Sequence, residues 1–263
     1  IAAELFSASV SRILEHFNND GWKPDVIHLH EWMSASASRH IRQLNQFTNT
    51  PIVVTTHNAT YIGQVPYTPK IQWDALPFNS PLLREKAVAI HLDGNLFLSL
   101  LEMGIHYADK ATTVSPTYGN EILDGSAKID ERVAQAMKAR ELEGILNGLD
   151  KDVFNPKKDP WIVPYDSEDM ELVAYAKGLN KLALHQKFGI HSVRNVMQIS
   201  MMSRLVEQKG IDVVLEASNA LQNLERIQLL IVGEATSNST RRAVQSLGGA
   251  VHGSPYFVGP EDQ

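Results

Sequence analysis

The stretch Leu142-Glu-Gly-Ile-Leu-Asn-Gly-Leu-Asp-Lys-Asp-Val-Phe-Asn-Pro156 divides the chain into two halves that are built alike. A short apolar segment runs into Asn147-Gly148, and Asn155-Pro156 is a second turn signal. Strand-like and helix-like segments alternate before this stretch, and the same alternation begins again after it. The pattern predicts two α/β units, residues 1–146 and 147–263, with a hinge between them and a ligand crevice where they meet.

The overall composition excludes several classes of protein. The 263 residues are 43% hydrophobic and 21% charged, which predicts a folded chain of one large or two ordinary domains. The formal net charge is −6 and no polybasic run is present, so we expect no nucleic-acid partner. No apolar run approaches the roughly 20 residues of a membrane-spanning helix, so we expect no membrane partner. Cysteine is absent, which excludes a thiol nucleophile and fits a cytoplasmic protein.

Polar residues follow the first two predicted strands. Asp25–Leu29 is a short apolar strand followed by His30-Glu31-Trp32, and Pro51–Thr56 is a second strand followed by His57-Asn58. In open parallel sheets ligands bind outside the carboxyl ends of the strands, so we expect both clusters at a binding site. His57 and Asn58 could present an imidazole and an amide to the hydroxyls of a sugar, and the alternative is an ordinary turn.

A metal site is the other chemistry that these histidines suggest. His28 and His30 are two residues apart on a strand and therefore share a face, with Glu31 next to them. No third histidine follows at a recognisable metal-ligand spacing. We therefore expect no metal at this position, because a histidine at a strand end is more often hydrogen-bonded locally.

The remaining elements follow from apolar periodicity and capping residues. In the first half we predict an opening helix to Phe17, a helix from Ser34 to Phe47, a long loop from Gly63 to Ser80, helices at 83–91 and 96–107, a strand at 110–114, a helix capped by Ser115, and a helix at 130–139. In the second half we predict a helix from Ser167 to Phe188, strands at 195–202, 227–232 and 256–258, and helices at 210–221 and 239–247. These are few elements for a doubly wound domain, so we expect a fragment of a longer protein.

Two cations lie where a strand passes into a helix in the second half. Arg204 and Lys209 belong to the segment Ser203–Gly210, which precedes the predicted helix. Free backbone N–H groups, the positive end of the helix dipole and the guanidinium fork all favour a phosphate at such a place. Solvated surface charges are the alternative. No G-x-G-x-x-G or Walker loop is present, which disfavours the usual dinucleotide and P-loop sites.

Taken together, these segments resemble the bacterial glycogen synthase and plant starch synthase family of glycosyltransferases. The resemblance rests on five motifs in the family's order, namely Lys23-Pro-Asp-Val-Ile-His-Leu-His-Glu-Trp32, Thr56-His-Asn-Ala-Thr-Tyr-Ile-Gly63, Tyr107-Ala-Asp-Lys-Ala-Thr-Thr-Val-Ser-Pro-Thr-Tyr118, Gly144-Ile-Leu-Asn-Gly-Leu-Asp150 with Asn155-Pro156, and Ser203-Arg-Leu-Val-Glu-Gln-Lys-Gly210. Five motifs in order over nearly the whole chain are far more specific than any one of them.

The resemblance implies a fold, a reaction and a set of site residues. The fold is α/β of the GT-B type, with two facing Rossmann-like domains, the first on the acceptor side and the second, incomplete here, for the nucleotide sugar. The reaction is the transfer of glucose from ADP-glucose to the non-reducing end of an α-1,4-glucan, with retention of configuration and without a cofactor. The implied catalytic residues are His57, Glu31, Arg204 and Lys209, the substrate-binding residues are Trp32, Asn58, Tyr61 and Asn147, and the nucleotide-binding residues are Arg204, Lys209 and Gly233.

The chain also departs from the family pattern. The family usually has Asp where Glu31 stands, and it has Lys-Gly-Gly or similar where Glu102-Met-Gly104 lies. Its amino-terminal Lys-x-Gly-Gly loop and carboxyl-terminal Glu-x7-Glu segment have no counterpart in these residues. Either the chain is a piece of a longer enzyme or it is a divergent short form. Two other functions stay open, a GT-B transferase for another nucleotide sugar and a catalytically impaired glucan- or nucleotide-binding remnant.

Overall fold

The structure is a computed structural model that describes residues 2–66, 88–90, 96–189, 196–221, 227–247 and 256–258. The chain divides into two compact units, Ile1–Gly148 and Leu149–Gln263. The boundary between the units lies inside the stretch that the sequence analysis treats as a hinge. Most of the predicted loop between Gly63 and Ser80 lies outside the described residues.

The first unit is built on a parallel sheet covered by helices. Its described helices are α1 (Ala2–Asn19), α2 (Glu31–Ala35), α3 (Ala37–Arg42), α4 (Leu100–Tyr107), α5 (Pro116–Asp124) and α6 (Glu131–Lys138), with a 3-10 turn at Asn45–Phe47. Its described strands are β1 (Ile27–His30), β2 (Ile52–Thr56), β3 (Gln64–Pro66), β4 (Val88–Ile90), β5 (Leu96–Ser99), β6 (Lys110–Thr113) and β7 (Glu143–Gly144). Strands β1, β2, β6 and β7 form the parallel sheet in that order, and β3, β5 and β4 form a small antiparallel sheet.

The core of the first unit forms where the helices pack on the parallel sheet. Ile52 and Val54 of β2 are fully buried and belong to the same apolar cluster as Ile41 and Phe47. Gly104 lets α4 approach α2 closely, because a Cβ atom there would lie 2.4 Å from the backbone carbonyl of Ala35. Burial of this apolar surface is the main stabilising term, and it holds the carboxyl ends of the strands in place.

Three of the predicted elements are wrong in detail. The predicted helix Ser34–Phe47 is divided into α2, α3 and a 3-10 turn, and it begins at Glu31 rather than after a Ser34 cap. The Ser34 hydroxyl instead donates to the His30 carbonyl at 2.6 Å and accepts from the His30 N–H at 2.8 Å. Residues 88–90 and 96–99, both predicted as helix, are strands, because residues 97–99 pair with the distant strand β3 and residues 88–90 pair with residues 96–98.

The second unit has a smaller parallel sheet. Its described elements are α7 (Met170–Lys187), β8 (Met197–Met202), a 3-10 turn (Glu207–Lys209), α8 (Ile211–Leu221), β9 (Ile227–Val232), α9 (Asn238–Ser246) and β10 (Tyr256–Val258). The strands are parallel in the order β10-β9-β8. Leu205, Ile211, Leu229 and Ile231 form the apolar core between the sheet and its helices.

The predicted α/β class is confirmed by both units, since each has a parallel sheet with helices between successive strands. The Ser115 cap is confirmed too, since its hydroxyl accepts from the Tyr118 N–H at 3.2 Å and Pro116 takes the first helical position. Among the described helices, none combines the length and the apolar character that a membrane span requires.

Candidate active site

The first group of site residues lies at the carboxyl ends of β1 and β2. These strands are parallel neighbours, and His30 stands beside Thr55 in their register. The residues that follow the two strands, Glu31 and His57, are therefore brought together. The sequence pattern predicts this meeting, because ligand sites in parallel sheets lie outside the carboxyl ends of the strands.

Three histidines form a cluster at this edge of the sheet. His30 Nδ1 lies 3.1 Å from His57 Nε2, and the rings of His28 and His30 have centroids 4.2 Å apart. His28 Nε2 contacts the Thr55 hydroxyl at 2.6 Å, and that hydroxyl is 2.6 Å from the hydroxyl of Thr112 on β6. The His57 ring has one nitrogen on His30 and is exposed, so its other nitrogen can meet a ligand.

The surroundings of His30 favour its neutral imidazole. Partial burial lowers the pKa of His30 below its ordinary value, and the neighbouring His28 and His57 lower it further, while Glu31 acts in the opposite direction. The bond between His30 Nδ1 and His57 Nε2 needs a proton on one nitrogen and a lone pair on the other, and a neutral His30 can supply either of them. Among the described residues, no group of three or more histidine, aspartate or glutamate side chains is placed to hold a metal ion.

Glu31 connects the two strand ends through its carboxylate. Its Oε1 accepts hydrogen bonds from the backbone N–H groups of His57 and Asn58, the latter at 2.9 Å. Glu31 also adopts a left-handed backbone with φ of 63°, which costs about 1–3 kcal/mol for a residue other than glycine. The strain is offset by the two charge-assisted hydrogen bonds. This geometry gives Glu31 the role of positioning the His57 backbone.

Replacing Glu31 by glutamine is expected to lower the free energy of unfolding by about 1–2 kcal/mol, because the two N–H groups lose a charged acceptor. The amide is almost isosteric with the carboxylate, so the change tests charge rather than shape. Chemical denaturation followed by tryptophan fluorescence measures the difference. Glu216→Gln, at an exposed position on α8, is the matched control. Equal stability of the Glu31→Gln variant and the wild type would contradict this role for the carboxylate.

Trp32 and Tyr61 line one pocket of about 760 Å³ in the first unit. Trp32 is half-buried at the start of α2, whereas the Tyr61 side chain is 56% exposed on the loop after β2. Both residues directly extend the segments that carry Glu31 and His57. The structure brings Trp32 and Tyr61 together in one pocket, and both residues lie close to Glu31 and His57 in the sequence.

The two predicted asparagines have different surroundings. Asn58 is half-buried, and its Oδ1 accepts from the Thr60 N–H at 3.1 Å, so the side chain stabilises the turn after β2. Asn147 is exposed in the segment that follows β7, next to the boundary between the units. The Ile145 N–H donates to the Thr113 carbonyl at 2.7 Å, which carries the pairing with β6 a little beyond β7.

The predicted phosphate site lies in the second unit. Arg204 follows β8, and Lys209 ends the 3-10 turn immediately before α8. Both side chains are exposed, and neither forms an ion pair within the part of the chain that the structure describes. Gly233 at the end of β9 approaches Ser203 so closely that a Cβ atom would lie 1.8 Å from the Ser203 carbonyl oxygen. Gly233 thus allows the two strand ends to meet beside Arg204.

Some residues near the site are absent from the sequence prediction. Tyr118 on α5 is half-buried and hydrogen-bonds the backbone of Ala59; burial raises the pKa of its hydroxyl, while this hydrogen bond acts in the opposite direction. Lys128, Ile129 and Asp130 form a wall of the pocket next to Trp32. Their only local signal is that Asp130 caps α6, accepting from the Arg132 N–H at 2.9 Å. Nothing in the sequence indicates that this loop meets residues almost one hundred positions earlier.

Two α/β units, each with a parallel sheet and polar residues after its strands, define a Rossmann-like fold of the GT-B class. The model of the family described as "Starch synthase catalytic domain" matches residues 1–147, and the chain belongs to this family. The chain is 34% identical to a glycogen synthase of Alkaliphilus metalliredigens over 236 residues, which is 87% of this chain and 46% of the relative. It is 32% identical to the glycogen synthase of Bacillus subtilis over 88% of this chain and 46% of that protein.

A solved structure has the same fold. It is the catalytic domain of starch synthase IV from Arabidopsis thaliana bound to ADP and acarbose, with a TM-score of 0.74 and 24% sequence identity. The match covers 96% of this chain and 51% of the plant chain. The chain therefore spans about half the length of the curated relatives and of the solved structure that it matches.

Proposed function

We propose that the full-length protein is a cytoplasmic retaining glucosyltransferase that moves glucose from ADP-glucose to the non-reducing end of an α-1,4-glucan. One observation carries the proposal: Glu31, His57 and Asn58, the site residues that the resemblance implies in the first unit, form a single hydrogen-bonded cluster at the carboxyl ends of two parallel strands. The relatives named glycogen synthase and the ADP and acarbose bound to starch synthase IV support the reaction and both substrates.

The proposed chemistry places fixed cations at the leaving group. As the bond to the glucosyl carbon breaks, positive charge develops on the sugar and negative charge on the departing diphosphate. Arg204 and Lys209 would hold the diphosphate and stabilise that negative charge with no metal ion or cofactor. Their exposed position at the end of β8, before a helix, suits an anionic ligand.

The first unit would hold the sugar. The exposed His57 ring would orient the glucosyl group through its free nitrogen, and Asn147 would contact the same group from the segment after β7. Glu31 would act indirectly, since its carboxylate is bound to backbone N–H groups. His57 would therefore be a positioning and charge-stabilising group rather than a nucleophile.

The reaction is tested by incubating the full-length protein with labelled ADP-glucose and glycogen and measuring incorporation of label into the polymer. Incorporation that depends on ADP-glucose supports the proposal. A clear preference for UDP-glucose would show that the proposed donor is wrong and that the protein is still a glucosyltransferase. Binding of glycogen or ADP without any incorporation from either donor would indicate a binding protein and contradict the proposal.

A further inference from the structure

The backbone of His30 is fixed at the end of β1. His30 pairs with Thr55 of β2 in the parallel register. The Ser34 hydroxyl accepts from the His30 N–H at 2.8 Å and donates to the His30 carbonyl at 2.6 Å. These contacts hold the backbone from which the His30 side chain extends, at the edge of the sheet where His57 follows β2.

The His30 ring is also supported on one side by polar side chains. The His28 ring lies against it, with centroids 4.2 Å apart and an angle of 37° between the planes. His28 Nε2 is 2.6 Å from the Thr55 hydroxyl, which is itself 2.6 Å from the Thr112 hydroxyl. Both threonines are buried, on β2 and β6. Three strands of the parallel sheet therefore help to limit the movement of the His30 ring.

His57 is fixed at two points, its backbone and one ring nitrogen. Its N–H donates to Glu31 Oε1, and its Nε2 lies 3.1 Å from His30 Nδ1, with the ring centroids 5.4 Å apart. A hydrogen bond at Nε2 restricts both side-chain torsion angles of His57. It also decides which nitrogen of a neutral ring carries the proton, because Nε2 is either the donor or the acceptor in the bond. The other nitrogen, Nδ1, then has a set direction and a set hydrogen-bonding role toward a ligand.

The charge state of His30 suits a place beside the transferred sugar. Partial burial lowers the pKa of His30, and the nearby His28 and His57 lower it further, whereas Glu31 acts in the opposite direction. A protonated His30 would add positive charge next to a sugar that itself becomes cation-like during the transfer, which would raise the barrier. A neutral His30 bonds to His57 without that cost.

We propose that His30 is a positioning residue for His57 and holds its ring so that Nδ1 faces the transferred glucosyl group. The inference rests on the proposed function and deepens it, because it gives His30 a part in the transfer without contact with the substrate. His30 sets the plane and the tautomer of the His57 ring, and His57 contacts the sugar. Replacing His30 should therefore lower the turnover number and leave ground-state binding of the donor nearly unchanged.

Two replacements of similar size in the full-length protein separate the hydrogen bond of His30 from its bulk. Asparagine places an amide atom close to the position of Nδ1 and can bond to His57 Nε2, whereas leucine has no polar atom. His30→Leu should lower the turnover number roughly 10–100-fold, the scale on which misplacing a group in an active site slows a reaction. His30→Asn should keep most of the wild-type turnover number. The KM for ADP-glucose should stay unchanged in both variants.

A double variant shows whether His30 acts through His57. His57→Ala has no ring to position, so adding His30→Leu to it should lower the turnover number no further. His16→Leu on α1, where the histidine side chain is 75% exposed, is the matched control and should behave as the wild type. A further loss in the double variant, a normal turnover number in His30→Leu, or equal turnover numbers of His30→Leu and His30→Asn overturns the inference.

The folding of the variants is checked by their melting temperatures. His30 is exposed, so its replacement should change them little. If leucine nevertheless unfolds the protein, His30→Ala takes its place in each comparison.

A measurement that does not need activity is the nitrogen NMR spectrum of the full-length protein with isotope-labelled histidines, because the shift of each ring nitrogen reports its protonation. The His57 signals are those missing from His57→Ala. His30→Leu should shift the Nε2 signal of His57, and His30→Asn should keep it near its wild-type position. A wild-type protein without transferase activity would refute the proposed function, and this spectrum would then decide the contact by itself. An unchanged His57 spectrum in His30→Leu overturns the inference in either case.

Discussion

Replacing His57 by alanine is expected to lower the turnover number by about 10²–10³-fold, the loss typical of removing one preorganised group that stabilises transition-state charge. The His57 ring is exposed at the carboxyl end of β2 and contacts His30 through one nitrogen. Its contacts to the sugar would strengthen as the sugar becomes cation-like. Loss of the ring should therefore lower the turnover number more than it weakens binding of the donor in the ground state.

The same variant should fold normally. The imidazole is exposed, so its removal leaves no buried cavity, and surface changes of this kind alter stability by only about 0.5 kcal/mol. The backbone N–H of residue 57 keeps its hydrogen bond to Glu31 in the variant. The strand end should therefore hold its place while the side-chain function is lost.

Steady-state kinetics on the full-length protein, ADP binding by calorimetry and the melting temperature together decide the role of His57. His16→Ala on α1, whose side chain is 75% exposed, is the matched control. A His57→Ala variant with normal turnover would show that the ring only stabilises a turn. A variant with an early melting transition would indicate a structural role in place of the catalytic one.

The sequence predicts best the elements whose signals are local. Strand Ile227–Val232 is nearly all apolar and lies at the predicted bounds, because a buried central strand needs apolar residues on both faces. Helix α5 begins where Ser115 and Pro116 predict, since a cap and a first-turn proline act within a few residues. The meeting of His57 with the β1 end follows from the parallel topology alone.

The features that were not predicted depend on distant contacts. Leu96–Ser99 is apolar enough for a helix or a strand, and its pairing with β3 and β4 decides for the strand. The left-handed backbone of Glu31 is stabilised by N–H groups on another strand, which no local pattern reveals. The Lys128 loop similarly joins the Trp32 pocket only through tertiary packing.

The second large effect is expected at Arg204, whose replacement by alanine should weaken ADP binding by roughly 1.5–3 kcal/mol, the range for hydrogen bonds to charged groups. Such a loss corresponds to an increase of about 10–150-fold in the dissociation constant. Arg204 is exposed after β8 and forms no ion pair with any residue that the structure describes, so its guanidinium is available to a diphosphate. Removing the Arg204 side chain should therefore lower the affinity for ADP and leave no described residue of the free protein without an ion-pair partner.

Calorimetric titration of the full-length protein with ADP measures this loss, and Lys209→Ala should give a smaller one, because an ammonium cannot form the two parallel bonds of a guanidinium fork. The affinity of the wild type should fall as salt rises, and Arg204→Ala should depend less on salt, since one charge contact is gone. Arg242→Ala, at an exposed position on α9, is the matched control and should bind ADP as the wild type does. The close approach of Gly233 to Ser203 does not involve the Arg204 side chain, so Arg204→Ala should have the same melting temperature as the wild type. Unchanged ADP affinity in a folded Arg204→Ala variant would contradict the phosphate site and would show that Arg204 is only a solvated surface charge.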